Sequence, residues 1–270
     1  MLALGAGAAV AVAGATWAEA TPDKTIGGWA QSAAEIRKTR TTLARHVPQR
    51  ALRSPAATSP SAAASTPAVA WTQPAYYVRE IVPEAPANAI ALTIDDGPHP
   101  VYTPMVLDVL QRYGVKATFS MIGINVQQYP QVARQVVAAG HSITNHSMLH
   151  PIPFQALTPA QIQAEVADAM NRIWDATKTV PRLFRAPGGG WAPAVFQALP
   201  AYGLIPLDWD VDPRDWTVPG VAHIEEVLET GRGGDILLCH DGGGNRIETV
   251  QALAQVIPAL LARKLDFITL

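Results

Sequence analysis

From Ala87 onward the chain alternates short, apolar, β-rich runs with longer stretches of helical spacing. The runs fall at 89–95 (AIALTID), 116–121 (KATFSM), 141–145 (HSITN), 182–185 (RLFR), 204–208 (LIPLD), 235–239 (DILLC) and 266–270 (DFITL). Helices are expected between them, near 104–113, 127–139, 159–177, 192–201, 220–230 and 246–263. Two have clear starts. Thr158-Pro159-Ala160-Gln161 offers a cap, a first-turn proline and a Gln at the capping-box position, and Thr103-Pro104 offers a similar opening. Strands separated by helices pair in parallel through right-handed crossovers, so the fold class is α/β. Seven strands fit a distorted or incomplete (β/α)7 barrel or an open doubly wound sheet. In both, chemistry gathers where strands finish at their C-terminal ends.

Polar residues stand at those ends. The first run closes in Asp95-Asp96 before the turn Gly97-Pro98. The third leads into Asn145-His146-Ser147-Met148-Leu149-His150-Pro151, and the fourth into Arg185-Ala186-Pro187-Gly188-Gly189-Gly190. The fifth leads into Asp208-Trp209-Asp210-Val211-Asp212-Pro213-Arg214-Asp215-Trp216, and the sixth ends Leu237-Leu238-Cys239-His240-Asp241. Five separate segments thus deliver Asp, His, Arg and Trp to one side of the fold. Asp-Gly-Pro alone is ordinary turn chemistry.

His146 and His150 stand four apart, a spacing that can aim two imidazoles at one metal, although Pro151 disfavours a long helix there. Taken alone, the pair could equally be two unrelated surface histidines. A carboxylate from the first strand would complete a two-His-one-Asp set with an open position, which suits zinc or a similar divalent ion at roughly 2.0–2.2 Å from each ligand.

Asp95-Asp96-Gly97-Pro98, His146-x-x-x-His150-Pro151, Arg185-x-Pro187, Asp215-Trp216 and Leu238-x-His240 resemble the five ordered motifs of polysaccharide deacetylases, the NodB-homology group of carbohydrate esterase family 4. The resemblance spans about 88–270. It implies that Asp96, His146 and His150 bind a divalent metal, most simply Zn2+ with Co2+ as a substitute, and that Asp95 is the general base. A metal lowers the pKa of its water to about 7, making a nucleophile available at neutral pH. By the same resemblance Arg185 holds the base, His240 is the general acid and Asp215 keeps His240 cationic. Trp216 and Leu238 would line the acetyl pocket. The residue after the motif-three proline is commonly Tyr, whose amide serves the oxyanion; here it is Gly188, which can still donate but changes the local substrate contact. Ile94 replaces a common Phe.

The neighbours read more plainly. His141, at the start of its strand, is expected to be structural, and His99 and Asp241 to support or shape loops. His223 and His46 stand alone. Cys239 should point into the core, with Leu238 and His240 on the other face. For Trp191 and Trp209, core packing is the default reading over sugar stacking.

Composition adds limits. The 270 residues carry a net charge of -2 and are 49% hydrophobic, which gives no basic face for nucleic acid. The single cysteine excludes an intramolecular disulfide. Residues 1–20 resemble a signal peptide ending in Ala18-Glu19-Ala20, without a leading Lys or Arg, or else an uncleaved anchor. Residues 21–87 hold a basic stretch, 32–53, and a Ser/Pro/Ala-rich linker at 54–69. The stretch is either a solvated tether or a weak attraction to an anionic wall or membrane. The folded part is expected to begin near 75–88, with the deacetylase domain at 88–270.

The expectation is a secreted or anchored extracytoplasmic enzyme, acting as a monomer on N-acetylglucosamine-type units of peptidoglycan or a chitin-like glycan. Acetyl xylan esterase, C–N hydrolysis of a small cyclic amide, and an inactive glycan-binding protein stay open as alternatives.

Overall fold

In a computed structural model, residues 71–270 are described. The expectations for the signal-like segment, the basic stretch, the linker and His46 lie outside the described residues. The elements run α1 (Val78–Ile81), β1 (Ala89–Gly97), α2 (Tyr102–Tyr113), β2 (Thr118–Met121), α3 (Gly123–Gln128), α4 (Pro130–Ala138), β3 (Ser142–Asn145), α5 (Pro159–Thr177), β4 (Leu183–Phe184), α6 (Pro193–Ala198), β5 (Ile205–Pro206), α7 (Val221–Leu228), β6 (Ile236–His240), α8 (Ile247–Ala262) and β7 (Asp266–Phe267). All ladder pairs are parallel, in the order β5-β4-β3-β2-β1-β6, and β7 pairs the first two residues of β1 below β6.

The sheet curls into a distorted barrel whose seam is closed by irregular chain. Val211 bridges Leu237 of β6, and Ala75 bridges Leu207 just beyond β5. Ala75 N donates to the Pro206 carbonyl at 2.9 Å, and Asp208 N to the Ala75 carbonyl at 2.8 Å. Residue 75 is therefore already part of the fold, at the early end of the expected window. Val78 and Ala85 pack below the sheet with Ala89, Ala91, Leu183, Leu207 and Ile236.

Burial explains the elements. β1 lies between β2 and β6 and is buried at almost every position, as a central parallel strand must be. In α5, Ile162, Val166, Ala169 and Ile173 recur at helical spacing and form the buried face. Its start matches the capping box: Thr158 N donates to Gln161 Oε1 at 2.9 Å and Gln161 N to Thr158 Oγ1 at 3.4 Å. Truncating Ile162 or Phe119 to Ala would cost about 2–5 kcal/mol.

Three helical expectations are revised. The stretch 127–139 is two helices, because Tyr129, before Pro130, leaves the helical region (φ −126°, ψ 54°). The stretch 192–201 tightens into a 3₁₀ turn at Leu199–Tyr202 and stops at left-handed Gly203. Thr103 is not a helix cap: α2 starts at Tyr102, and the ring Nδ1 of His99 accepts from the amides of Val101 and Tyr102, each at 3.2 Å. Thr103 Oγ1 instead donates to Asp241 at 2.5 Å and accepts from His99 N at 2.7 Å.

Candidate active site

The strand ends open into a cleft of about 610 Å3 lined by residues from every expected motif, including Asp95, Asp96, His146, His150, Trp216 and His240. The adjacent acids reach it because the strand breaks between them. In the β1–β2 ladder Asp95 faces Ser120 and Gly97 faces Met121, so Asp96 is a bulged extra residue, and its φ of 71° is left-handed. A bulge re-aims a side chain that regular alternation would send to the other face. Gly97 is fixed by crowding: a Cβ there would collide with Asp241 Oδ1.

Asp95 is 2% exposed. Its Oδ1 accepts from Arg185 Nη1 at 2.8 Å, and its Oδ2 is 3.6 Å from His146 Nε2. Arg185, 0% exposed, also donates through Nη1 to Thr93 Oγ1 and through Nη2 to the Asp208 carbonyl, each at 2.8 Å, and stacks over Trp209. A guanidinium so held fixes the direction of the Asp95 carboxylate.

Asp96, His146 and His150 form the candidate metal centre, with one ligand atom from each inside a 4.8 Å circle. Asp96 Oδ1 lies 3.5 Å from His146 Nε2 and 3.2 Å from His150 Nε2, buried and without an aligned hydrogen bond. His146 Nδ1 sits 2.8 Å from the Arg185 carbonyl. A carbonyl only accepts, so Nδ1 carries a proton, which leaves Nε2, the atom facing Asp96, as the one a metal would take. Burial lowers the His146 pKa, yet Asp95 and Asp96 outweigh it and leave it raised; the field here favours positive charge. For Asp96 burial pushes upward, but the two imidazoles win and hold it well below the usual carboxylate range. His150 is pushed down to about 4 by burial and by His146.

Across the cleft His240 Nδ1 lies 2.6 Å from Asp215 Oδ1, and His240 N donates to Asp215 Oδ2 at 2.9 Å. Thr249 Oγ1 adds a donor to the same carboxylate at 2.7 Å. Burial lowers the His240 pKa, but its bond to Asp215 and the charges of Asp215, Asp96 and Asp95 lift it to about 9.

Leu238 lines the cleft beside His240 while Cys239 is buried in the core, in keeping with strand alternation. Trp216 stands 48% exposed at the rim under the Arg214 guanidinium. Gly188 lies at the cleft edge in a left-handed conformation (φ 59°, ψ 26°). Elsewhere, His141 is buried and accepts from Ala117 N at 3.1 Å. Trp191 donates to Asp208 at 2.9 Å and stacks on Phe196. Asp241 is fully buried, and burial raises it to about 7.

Sequence reading overlooked Thr93 and Thr249, which hold Arg185 and Asp215, and Arg246. Hydroxyls inside a strand or helix give no pattern to find. The glycine run 242–244 beside His240-Asp241 was the one hint at Arg246.

The family model for polysaccharide deacetylase matches residues 83–206. The chain is 40% identical over 200 residues to a peptidoglycan-N-acetylglucosamine deacetylase of Bacillus cereus, covering 73% of this chain and 92% of that protein. It is 42% identical over 189 residues to a chitooligosaccharide deacetylase of a Bradyrhizobium species, covering 65% and 86%. Among solved structures, a peptidoglycan N-acetylglucosamine deacetylase in complex with an N-hydroxybenzamide matches with a TM-score of 0.66 and 28% identity, over 68% of this chain and 88% of that one. The fold and its cleft are those of a carbohydrate-directed hydrolase. The chain belongs to the polysaccharide deacetylase family, NodB-homology group, carbohydrate esterase family 4.

Proposed function

We propose that this protein removes N-acetyl groups from N-acetylglucosamine-type units of an extracytoplasmic glycan, peptidoglycan in first place and chitin-like oligomers in second. The observation that carries the reading is the pairing of two differently held carboxylates at one strand end. Asp96 turns to the histidines, and Asp95 is locked on Arg185.

Asp96, His146 and His150 would hold a divalent ion, Zn2+ in first place. When bound, such an ion supplies Lewis-acid polarisation of the amide carbonyl and acidifies water. Asp95, oriented by Arg185, takes a proton from the attacking water. His240, kept cationic by Asp215, gives a proton to the leaving amine nitrogen, a role worth roughly 10²–10⁴ in rate. The Gly188 amide is the assigned oxyanion donor. Leu238 and Trp216 line the cleft, where they would meet the acetyl group. An inactive glycan binder would be expected to lack one of the acid–base residues, whereas Asp95, Arg185 and His240 are all in place.

The extracytoplasmic placement is supported by the export-like N-terminus and by the kind of substrate its relatives are named for. No helix among the described residues is long and apolar enough to cross a membrane. The test is mass spectrometry of peptidoglycan, chitin and acetylated xylan fragments incubated with zinc- or cobalt-loaded protein. Loss of single acetyl groups from the amino sugars, with acetate released, is expected; glycan binding without acetate release would overturn the reading.

A further inference from the structure

Arg246 is a charged side chain that the chemistry above does not use. It is 3% exposed yet lines the catalytic cleft. Its Nε donates to the Gly242 carbonyl at 2.7 Å and its Nη1 to the Asn245 carbonyl at 3.1 Å, while Nη2 makes no hydrogen bond among the described residues. No carboxylate of those residues lies within ion-pair distance of it, whereas Arg185 is paired with Asp95 at 2.8 Å. A buried cation with no carboxylate in direct contact is expensive, and hydrogen bonds to neutral carbonyls offset only part of the cost.

The guanidinium lies flat against the glycine turn. A Cβ on Gly244 would be 3.4 Å from Nη2, and one on Gly243 would be 3.5 Å from Nη2 and 2.8 Å from Asp96 Oδ2. The unused end of Arg246 is thus beside the candidate metal ligand, on the same cavity wall as His240. Arg214, also on the cleft, adds a second cation, stacked over Trp216 at 5.4 Å.

We propose that Arg246 is a specificity residue whose free Nη2 binds a carboxylate carried by the glycan next to the unit being deacetylated. The inference rests on the deacetylase reading and narrows it to substrates with an acidic group. In peptidoglycan the acetylglucosamine alternates with muramic acid, whose lactyl arm ends in a carboxylate once its peptide is removed; chitin has no such group. Planar guanidinium donors match a carboxylate well.

The test measures Kd for peptide-free peptidoglycan strands, with the lactyl carboxylates either free or methyl-esterified. The zinc-loaded Asp95→Asn protein is used so that turnover does not consume the ligand. Free strands should bind roughly 10- to 100-fold more tightly than esterified ones, the range of a charge-assisted hydrogen bond. Arg246→Gln, added to that protein, should bring the two constants together, and Arg246→Lys should keep part of the difference. Equal binding of the two strands before any change at 246, or a preference that survives Arg246→Gln, overturns the proposal. Should Arg246→Gln fail to fold, the free-to-ester ratio of the Asp95→Asn protein still decides. Acetate release from the same peptide-free peptidoglycan strands by the unmodified protein is followed separately. Its absence would count against the deacetylase reading and leave the binding ratio to judge Arg246.

Discussion

Arg185 serves His146 with its backbone and Asp95 with its side chain. Its carbonyl accepts from His146 Nδ1 at 2.8 Å, and its Nη1 donates to Asp95 Oδ1 at 2.8 Å. One residue therefore orients a candidate metal ligand and the candidate base, through groups that mutation can separate. Arg185→Met removes the guanidinium and keeps the carbonyl. It should reduce acetate release by at least 10²-fold while zinc still binds, because the base loses its direction and its counter-charge. It should also destabilise the fold by about 3–5 kcal/mol, since Asp95 is left buried without a partner. Zinc titration and chemical denaturation check the two halves.

The candidate metal centre predicts a different pattern. His150→Ala removes one of three ligands but leaves the Asp95–Arg185 pair untouched. Zinc affinity should fall by at least 100-fold in a chelator competition. The melting temperature of the metal-free protein should hold nearly constant, because His150 is only partly buried and its ring makes no aligned hydrogen bond among the described residues.

The pair His240–Asp215 sets a pH dependence. With His240 as the proposed proton donor, activity requires its charged form and falls as pH rises through about 9. Asp215→Asn removes the largest influence raising that value and leaves burial, which lowers it, so the alkaline limb should move toward neutral pH. The same raised value means that the pair stabilises the fold fully below the unfolded histidine value near 6.5. That contribution is lost as pH rises through about 9. A pH–rate profile of both proteins, with melting curves at pH 6 and 10, reads the shift.

Gly188 predicts a backbone effect. Its φ of 59° is costly for an L side chain, although a Cβ would meet Ile152 only at an ordinary 3.5 Å. Gly188→Ala should therefore cost about 1 kcal/mol in stability through conformation rather than collision. KM for the glycan should change more than the stability of the core, since the strain falls on the cleft edge.

The alternation of strands and helices and the side of the fold that carries polar residues were legible because β1 and β6 are almost continuously apolar until they surface at Asp95 and His240. The capping box at Thr158 was legible for the same local reason. What the pattern hid is tertiary. Nothing in Ile94-Asp95-Asp96-Gly97 announces that Asp96 is a bulged, left-handed residue, because that follows from register against β2. The role of Thr103 as a partner of Asp241 depends on a contact across 138 positions of sequence. The seam through Ala75 and Val211 is made of single bridges, too short for any period to show.

The central claim is the division of labour between Asp95 and Asp96, and one paired measurement tests it most directly. Zinc binding and acetate release from peptide-free peptidoglycan strands are measured for the unmodified protein, Asp95→Asn and Asp96→Asn. Asp95→Asn should bind one zinc and release no acetate, while Asp96→Asn should fail to hold the metal at all. Zinc lost from Asp95→Asn but retained by Asp96→Asn would contradict the account and exchange the two roles.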